Sequence, residues 1–257
     1  MQDILYAAEL CVEVYSHDPI PPHQDIRGVI EIRDTATGAD GFAFVSRQTR
    51  TLHIVFRGSQ SLLTSDGRLD WFHNVLVKKR EWSGIRAHGG VVRCVSAIMP
   101  RLIEVLDAFP GFAITLQGHS AGGNIATLVA VALCRRYQRN GEQQLRLITF
   151  GQSRVAAAAD LKRTIWCDYI RVQNGSDAVC RWPKIGYGDA GRNLYYPNSA
   201  KLGDYMWDPT AWQQTRDILF TTIGRVLDHR MSEYAHRTFD ALAADQQSRV
   251  SPGAGVA

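Results

Sequence analysis

The feature that most constrains this chain is the stretch ITLQGHSAGGNIA at residues 114–126. An apolar run stops at Gly118, and a segment rich in Ala, Val and Leu with helical character begins after Ser120. This order predicts a buried strand that turns directly into a helix. The Gly-x-Ser-x-Gly spacing is typical of a sharp turn that presents a serine hydroxyl, and small residues are needed on both sides because strand end and helix start pack closely. Ser120 is therefore a candidate nucleophile, and the alternative is an ordinary helix-capping serine in a glycine-rich turn.

Strand-like and helix-like segments alternate along the rest of the chain. Helical spacing covers 3–15, 91–109, 121–137, 211–228 and 231–244, and β-rich runs cover 29–34, 41–48, 51–58, 112–117, 145–150 and 169–173. Strand–helix–strand alternation is the pattern of a mostly parallel sheet with helices on both faces, so the predicted fold class is α/β. With 257 residues, of which 45% are hydrophobic, the chain can fill one large core. We predict a single domain over 1–245 and a flexible tail over 246–257.

Charge and composition argue against several classes of function. The net charge of +4 is small and evenly spread, which does not favour nucleic acid as a partner. The only basic run is Lys78-Lys79-Arg80, which is either a solvated face or a weak attraction for an anionic lipid surface. No stretch approaches eighteen uninterrupted apolar residues, so no transmembrane helix is predicted. No cluster of Cys and His offers a metal site, and neither a metal nor a cofactor is expected.

The cysteines and the first residues of the sequence indicate the cellular compartment in which the protein is expected. The five cysteines are widely spaced without a CxxC pair, so most are expected to be reduced, with one disulfide left open. The first residues, MQDILYAAELCVEVYSHD, include acidic side chains and no basic segment, unlike a secretory signal. A cytoplasmic location is the simplest expectation, and export by a leaderless route or after signal removal stays open.

A serine on such a turn needs a base and an acid later in the chain, in the order Ser, Asp or Glu, His. Two histidines lie beyond residue 119, namely His229 and His236. His229 follows a predicted helix, where a loop can present its imidazole to the sheet, whereas His236 has the spacing of a helix surface residue. His229 is therefore the candidate base. His119 is adjacent to Ser120, and since neighbours on a sharp turn do not aim at each other, it is expected to have a structural role.

Asp177 is the candidate acid, because it comes just after the predicted strand YIRVQ, at the carboxyl end where such sheets gather functional groups. A carboxylate there can hold the His229 ring and stabilise its charged form. The alternative for Asp177 is an Asx-turn cap. Asp168 precedes the strand and so lies at the wrong edge, while Asp189 and Asp204 lie in irregular loops and are weaker competitors.

Several segments together resemble the class 3 lipase family, the fungal-type triacylglycerol lipases of the α/β-hydrolase fold. They are IVFRGS (54–59), DWFHN (70–74), HGGV (88–91), GHSAGG (118–123), ITFGQSRVA (148–156), RVQNGSDAVCRWP (171–183) and LDHRMSEY (227–234). The resemblance runs from about residue 50 to 235 and keeps the order of the family's motifs.

The resemblance implies Ser120 as nucleophile, Asp177 as acid and His229 as base, with Ser59 and Ala121 at the oxyanion hole. It implies serine-dependent hydrolysis of carboxylic esters, with a lipid or shorter acyl ester as substrate and a lipid–water interface as a partner surface. Phospholipase A1 and feruloyl or aryl esterase activities are alternatives that use the same triad. A lipase-like binding protein without turnover is the alternative from another class, and the intact order of Ser, Asp and His argues against it.

Departures from the family pattern occur at Ser153 for Pro, Ala156 for Gly and Cys180 for Pro. These changes are expected to alter loop rigidity rather than catalytic chemistry. The family carries its lid after the oxyanion segment, which places a lid-like segment near residues 60–76 of this chain. A mobile amphipathic cap and a partly ordered loop over an open site are equally compatible with its residues. Tyr195 and Tyr196 either line the site or belong to the core.

Overall fold

The structure is a computed structural model that describes residues 1–16, 18–58, 78–137, 144–175, 177–198, 203–219 and 229–250. The helices are α1 (Gln2–Glu13), α2 (Gly89–Asp107), α3 (Ala121–Tyr137), α4 (Ala158–Thr164), α5 (Ala211–Leu219) and α6 (Met231–Val250). The strands are β1 (Ile26–Asp34), β2 (Ala39–Ser46), β3 (Thr51–Phe56), β4 (Arg80–Trp82), β5 (Ile85–Ala87), β6 (Ala113–His119), β7 (Leu145–Phe150), β8 (Asp168–Asn174), β9 (Arg192–Tyr196) and β10 (Met206–Trp207).

Within the described ranges, one eight-stranded sheet has the order β1-β2-β3-β6-β7-β8-β9-β10. Strands β3, β6, β7, β8 and β9 are parallel, whereas β1, β2 and β3 form an antiparallel meander and β10 pairs antiparallel with β9. Strands β4 and β5 form a separate hairpin. Because parallel strands end at the same edge, the segments that follow β3, β6, β7 and β8 meet there.

Helices cover both faces of the sheet, and each face has its own buried core. On one face α2, α3 and α4 pack through residues such as Val95, Leu102 and Leu133, all fully buried. On the other face α1 and α6 pack together, with Leu10 and Tyr234 fully buried. The predicted α/β class, with a mostly parallel sheet flanked by helices, is confirmed.

Some elements differ from the sequence expectation. The short strands β4, β5, β9 and β10 and the short helix α4 were not predicted, because their few residues show no clear period and depend on neighbouring elements. Helix α6 continues past the expected end at 244 to Val250, so residues 246–250 lie in a helix and not in a tail. Gln246 and Gln247 have a good helix propensity, and the first helix-breaking residue after them is Pro252. Residues 220–228, within the predicted 211–228 helix, and residues 251–257 lie outside the described ranges. The single domain over 1–245 stays a prediction.

Candidate active site

Ser120 lies at the tip of a sharp turn between β6 and α3 with a left-handed backbone, at φ 55°. A Cβ on Gly118 would come within 2.4 Å of the Gly122 backbone, and one on Gly122 would come within 2.1 Å of the Phe56 carbonyl oxygen. The two glycines are therefore required by close backbone approach. The left-handed conformation costs a residue with a side chain about 1–2 kcal/mol. The turn is held in place because the Ser120 N–H donates to the Phe150 carbonyl at 2.8 Å.

Ser120, His229 and Asp177 form a continuous hydrogen-bonded chain. The Ser120 Oγ lies 2.8 Å from His229 Nε2, and His229 Nδ1 lies 2.7 Å from Asp177 Oδ2. The relative exposures are 2%, 6% and 1% for Ser120, His229 and Asp177, so water competes little for these bonds. Because the carboxylate only accepts, Nδ1 carries a proton, which leaves Nε2 to accept from the serine hydroxyl. His229 Nε2 is therefore placed to take up the proton of Ser120 Oγ.

Asp177 is held as a carboxylate by several donors. Tyr234 donates its hydroxyl to Oδ2 at 2.6 Å, and the Val179 N–H donates to Oδ1 at 2.9 Å. Burial alone would raise the pKa of Asp177. The interaction with His229, together with the hydrogen bonds from Tyr234 and Val179, outweighs burial, so the pKa of Asp177 lies below its usual value. Asp177 is therefore ionised at neutral pH.

Tyr234 and Gly151 complete this arrangement, and sequence reasoning did not single them out. Tyr234 belongs to the segment LDHRMSEY, five positions after His229, so the family resemblance carried a signal for it. Gly151 has φ 56°, and a Cβ there would come within 3.0 Å of Asp177 Oδ2 and 3.1 Å of His229 Cε1. Only glycine leaves room for the acid and the imidazole at this point.

The oxyanion candidates are only partly within the described residues. Ala121 is the first residue of α3, and amides in the first turn have no partner inside their own helix and lie at the positive end of its dipole. The amide of Ala121 therefore lies where it can stabilise negative charge next to Ser120. Ser59 and the predicted lid near 60–76 lie outside the described residues. Gly58, which precedes Ser59, packs against the turn at Ser120, since a Cβ on Gly58 would come within 3.1 Å of Ser120 Cβ.

The weaker candidates for the acid and the base lie away from Ser120. Asp168 is at the amino end of β8, at the opposite edge of the sheet, and pairs with Arg146 and Arg192. Asp189 pairs with Arg154 and Arg171. His236 lies on α6 with 63% of its side chain exposed, as predicted for a helix surface residue.

Other residues considered from the sequence belong to the core or the surface. Tyr195 and Tyr196 are fully buried on β9 and belong to the core. Asp204 is exposed. Of the basic triplet, Lys78 and Arg80 are exposed, while Lys79 stacks its ammonium 4.2 Å from the centre of the Tyr187 ring.

Two departures from the family pattern have visible contacts. The Ser153 hydroxyl accepts a hydrogen bond of 2.6 Å from the Asn124 amide. The Cys180 thiol lies 3.5 Å from Asp177 Oδ2 as a weak donor, a contact that a proline could not make. The expectation that the Cys180 change alters only loop rigidity is therefore too narrow, because this thiol reaches the candidate acid.

No helix in the described ranges is long and apolar enough to cross a bilayer. Nor do those ranges contain a group of three or more His, Cys, Asp or Glu side chains arranged to hold a metal ion.

A mostly parallel sheet, a serine on a strand-to-helix turn, and an Asp and a His reaching that serine from later segments define the α/β-hydrolase class. The sequence profile of the family described as lipase (class 3) matches residues 53–187, which is more than half of the chain. The chain belongs to the class 3 lipase family.

Known relatives agree with this assignment. The lipase of Rhizomucor miehei is 32% identical over 157 residues, covering 58% of this chain and 42% of that lipase. Phospholipase A1-II 1 of Oryza sativa subsp. indica is 33% identical over 90 residues, covering 32% of this chain and 21% of that enzyme. The matched region therefore spans less than half the length of these relatives.

Solved structures give the same fold. The triacylglyceride lipase of Rhizomucor miehei superimposes with a TM-score of 0.71 at 21% identity, covering 89% of this chain and 92% of that structure. At this identity the likeness establishes the α/β-hydrolase fold.

Proposed function

We propose that this protein is a serine-dependent hydrolase of carboxylic esters that acts on lipid acyl esters, triacylglycerols first among them. The observation that carries the proposal is the buried chain from Ser120 Oγ through His229 to Asp177, with distances of 2.8 and 2.7 Å. Membership of the class 3 lipase family supports it. So does a triacylglycerol lipase of the same fold, described as having a serine protease triad as its catalytic centre.

The reaction begins when Ser120 Oγ attacks the acyl carbonyl and its proton passes to His229 Nε2. Asp177 keeps the His229 ring in the tautomer that accepts this proton and stabilises the imidazolium that forms. The left-handed turn at Ser120 and the helix that starts behind it leave the hydroxyl aimed at the imidazole. All three side chains are buried, so the charges that develop are not screened by water.

The tetrahedral intermediate carries a negative oxygen that needs donors. In this proposal the Ala121 N–H supplies one of them, and Ser59 supplies the other through its amide and hydroxyl. His229 then gives its proton to the leaving alcohol, and the acyl group stays on Ser120. Water activated by His229 attacks this ester and releases the fatty acid.

The first experiment compares Ser120→Ala with the unchanged protein on p-nitrophenyl butyrate, together with labelling by a fluorophosphonate and mass spectrometry. Ser153→Ala, another buried serine, is the matched control. Ser120→Ala is expected to lose hydrolysis and labelling while its thermal unfolding stays cooperative, and Ser153→Ala is expected to keep both. Turnover retained in Ser120→Ala would overturn the role of this serine. Absence of hydrolysis and labelling in the folded, unchanged protein would favour a binding protein.

Phospholipase A1 activity is the second candidate, and two observations favour it. One relative is a phospholipase A1, and exposed Lys78 and Arg80 provide cations that could attract a phosphate headgroup. Hydrolysis rates on triolein, on phosphatidylcholine labelled at its first acyl position and on methyl ferulate would separate the lipase, phospholipase and feruloyl esterase alternatives. The double variant Lys78→Gln, Arg80→Gln is expected to slow phospholipid hydrolysis only, if these cations bind the headgroup.

Action at a lipid–water interface is part of the proposal. One fungal lipase of this fold is described through a model for interfacial activation. The rate on tributyrin is therefore expected to rise steeply above the solubility limit of the ester. A rate that follows simple saturation through that limit would instead indicate an esterase with an open site.

A further inference from the structure

We propose that Tyr15 and His119 are a pair of positioning residues that hold the candidate base His229 and Gly58, the second residue after β3, in place next to Ser120. The inference rests on the proposed function, because it assigns these residues to the hydrolysis carried by the same site. Neither residue belongs to the triad, and they come from the segment after α1 and from the last position of β6.

His119 connects to the backbone of the candidate base. Its Nε2 lies 2.6 Å from the His229 carbonyl oxygen, and its Nδ1 lies 2.7 Å from the Tyr15 hydroxyl. Burial lowers the pKa of His119 to about 3, so the ring is neutral at neutral pH. A carbonyl only accepts, so the single proton lies on Nε2 and is donated to His229. Nδ1 must then accept from the Tyr15 hydroxyl.

Tyr15 connects the same network to the segment before Ser59. Its hydroxyl oxygen accepts the Gly58 N–H at 3.1 Å while its proton goes to His119. A Cβ on Gly58 would come within 2.6 Å of this hydroxyl, 2.9 Å of the His119 carbonyl and 3.1 Å of Ser120 Cβ. Gly58 therefore lies directly against the turn at Ser120, and the hydrogen bond to the Tyr15 hydroxyl helps to fix it there.

All donors and acceptors in this network have one consistent assignment. The Gly58 N–H donates to Tyr15, Tyr15 donates to His119, and His119 donates to His229. Because each hydrogen bond in this network has a defined donor and acceptor, the network fixes both the orientation of the His119 ring and the position of the His229 backbone. Misplacement of a reacting group by about 1 Å can cost about a hundredfold in rate. The pair thus controls the geometry on two sides of Ser120 without contacting the reacting atoms.

The matched pair Tyr15→Phe and Tyr6→Phe tests the proposal. Tyr6 lies on α1, is also partly buried, and donates its hydroxyl to Asp25 at 3.2 Å. With p-nitrophenyl butyrate, Tyr15→Phe is expected to lower kcat about tenfold and leave KM within about twofold. The rate of Ser120 labelling by the fluorophosphonate should fall by the same factor. Tyr6→Phe is expected to keep both rates within about twofold.

Two substitutions of His119 separate its two bonds. The amide nitrogen of Gln can take the place of Nε2 and donate to His229, whereas the amide oxygen of Asn can take the place of Nδ1 and accept from Tyr15. His119→Gln is expected to retain more of the wild-type kcat than His119→Asn, because it keeps the bond to the base. Tyr15→Phe is expected to lower kcat by a smaller factor when it is added to His119→Gln than when it is made alone. The reason is that His119→Gln has already weakened the hydrogen bond between positions 15 and 119.

The outcomes of these experiments test the positioning role of Tyr15 and His119 separately from the proposed hydrolase function. Equal kcat for Tyr15→Phe and Tyr6→Phe overturns the positioning role, as does a fully additive double variant. A loss that follows the unfolding temperature across all variants also overturns it, because general destabilisation then explains the rates. If Tyr15→Phe does not fold, the comparison of His119→Gln with His119→Asn decides. Failure of the unchanged protein to hydrolyse or be labelled contradicts the proposed function itself.

Discussion

Tyr234 donates its hydroxyl at 2.6 Å to Asp177 Oδ2, the same oxygen that lies 2.7 Å from His229 Nδ1. One carboxylate oxygen thus receives both a phenol from α6 and the imidazole that contacts Ser120. The phenol fixes the plane of the carboxylate and helps to keep it ionised. Tyr234 is fully buried, and its hydroxyl also accepts the Asn174 N–H at 3.2 Å. The acid is therefore supported from a helix that follows the base in sequence.

Tyr234→Phe is expected to lower kcat/KM about tenfold and the free energy of unfolding by about 1.5–3 kcal/mol, because a bond to a charged group is lost. Tyr196→Phe is the matched control, since Tyr196 is also buried and its hydroxyl bonds to Thr238 at 3.0 Å, away from the triad. The control should lose stability but keep kcat/KM. Ester hydrolysis and chemical denaturation measure both quantities. Equal kcat/KM in the two variants would show that the Tyr234 bond does not support the acid.

Asp177 should give the stability a defined pH dependence. Its pKa is lowered in the folded state, so the carboxylate contributes stability that is fully present above the unfolded value of about 3.9. That contribution is lost as the pH falls through the folded pKa. The gap in unfolding free energy between the unchanged protein and Asp177→Asn is therefore expected to be largest near pH 7 and to narrow below about pH 4.

Denaturation series from pH 7 to pH 3 test this expectation. Other carboxylates with lowered pKa values, Asp25, Asp34 and Asp189, occur in both proteins and cancel in the difference. Asp177→Asn is also expected to lower kcat about a thousandfold or more, because the His229 tautomer is no longer held. A gap that stays constant with pH would contradict the lowered pKa of Asp177.

The sequence patterns predict the central strands and the turn at Ser120 because those elements carry strong local signals. Strand β7 has the predicted bounds, Leu145–Phe150, since an apolar run bounded by polar residues leaves little choice. Its position after a strand favours Asp177 over Asp168, and the structure brings Asp177 to His229 and leaves Asp168 at the far edge of the sheet. The position of each carboxylate relative to the strand therefore predicted which of the two lies next to His229.

What could not be predicted depends on contacts between distant segments. Tyr15 and His119 are separated by 104 positions, and nothing in either local pattern indicates their bond. Gly151 looks like an ordinary glycine after a strand, and its need to be small appears only when Asp177 and His229 lie against it. Strand β9 is extended because β8 offers it a parallel partner, which its own five residues do not reveal.

Gly151→Ala and Gly38→Ala separate backbone strain from crowding of the triad. Both glycines have positive φ, 56° and 70°, so alanine costs about 1–2 kcal/mol of stability in either place. A Cβ on Gly38 meets nothing within 4 Å, whereas one on Gly151 meets Asp177 and His229 at 3.0 and 3.1 Å. Gly151→Ala is therefore expected to lower kcat about tenfold or more, and Gly38→Ala to leave it unchanged. Parallel losses of kcat in both variants would exclude crowding as the cause.

Asp189→Asn is expected to lower the free energy of unfolding and to leave kcat nearly unchanged. Asp189 lies 2.5 Å from the buried Arg171 and 2.8 Å from Arg154 through opposite oxygens, and an asparagine amide would face one guanidinium with a donor. Because 41% of the Asp189 side chain is exposed, solvent limits the loss in unfolding free energy to about 1–3 kcal/mol. The control Asp168→Asn breaks exposed pairs and should cost less than about 1 kcal/mol. Both variants are expected to keep kcat within about twofold, as measured with p-nitrophenyl butyrate. Loss of hydrolysis in a folded Asp189→Asn protein would contradict a purely structural role for Asp189.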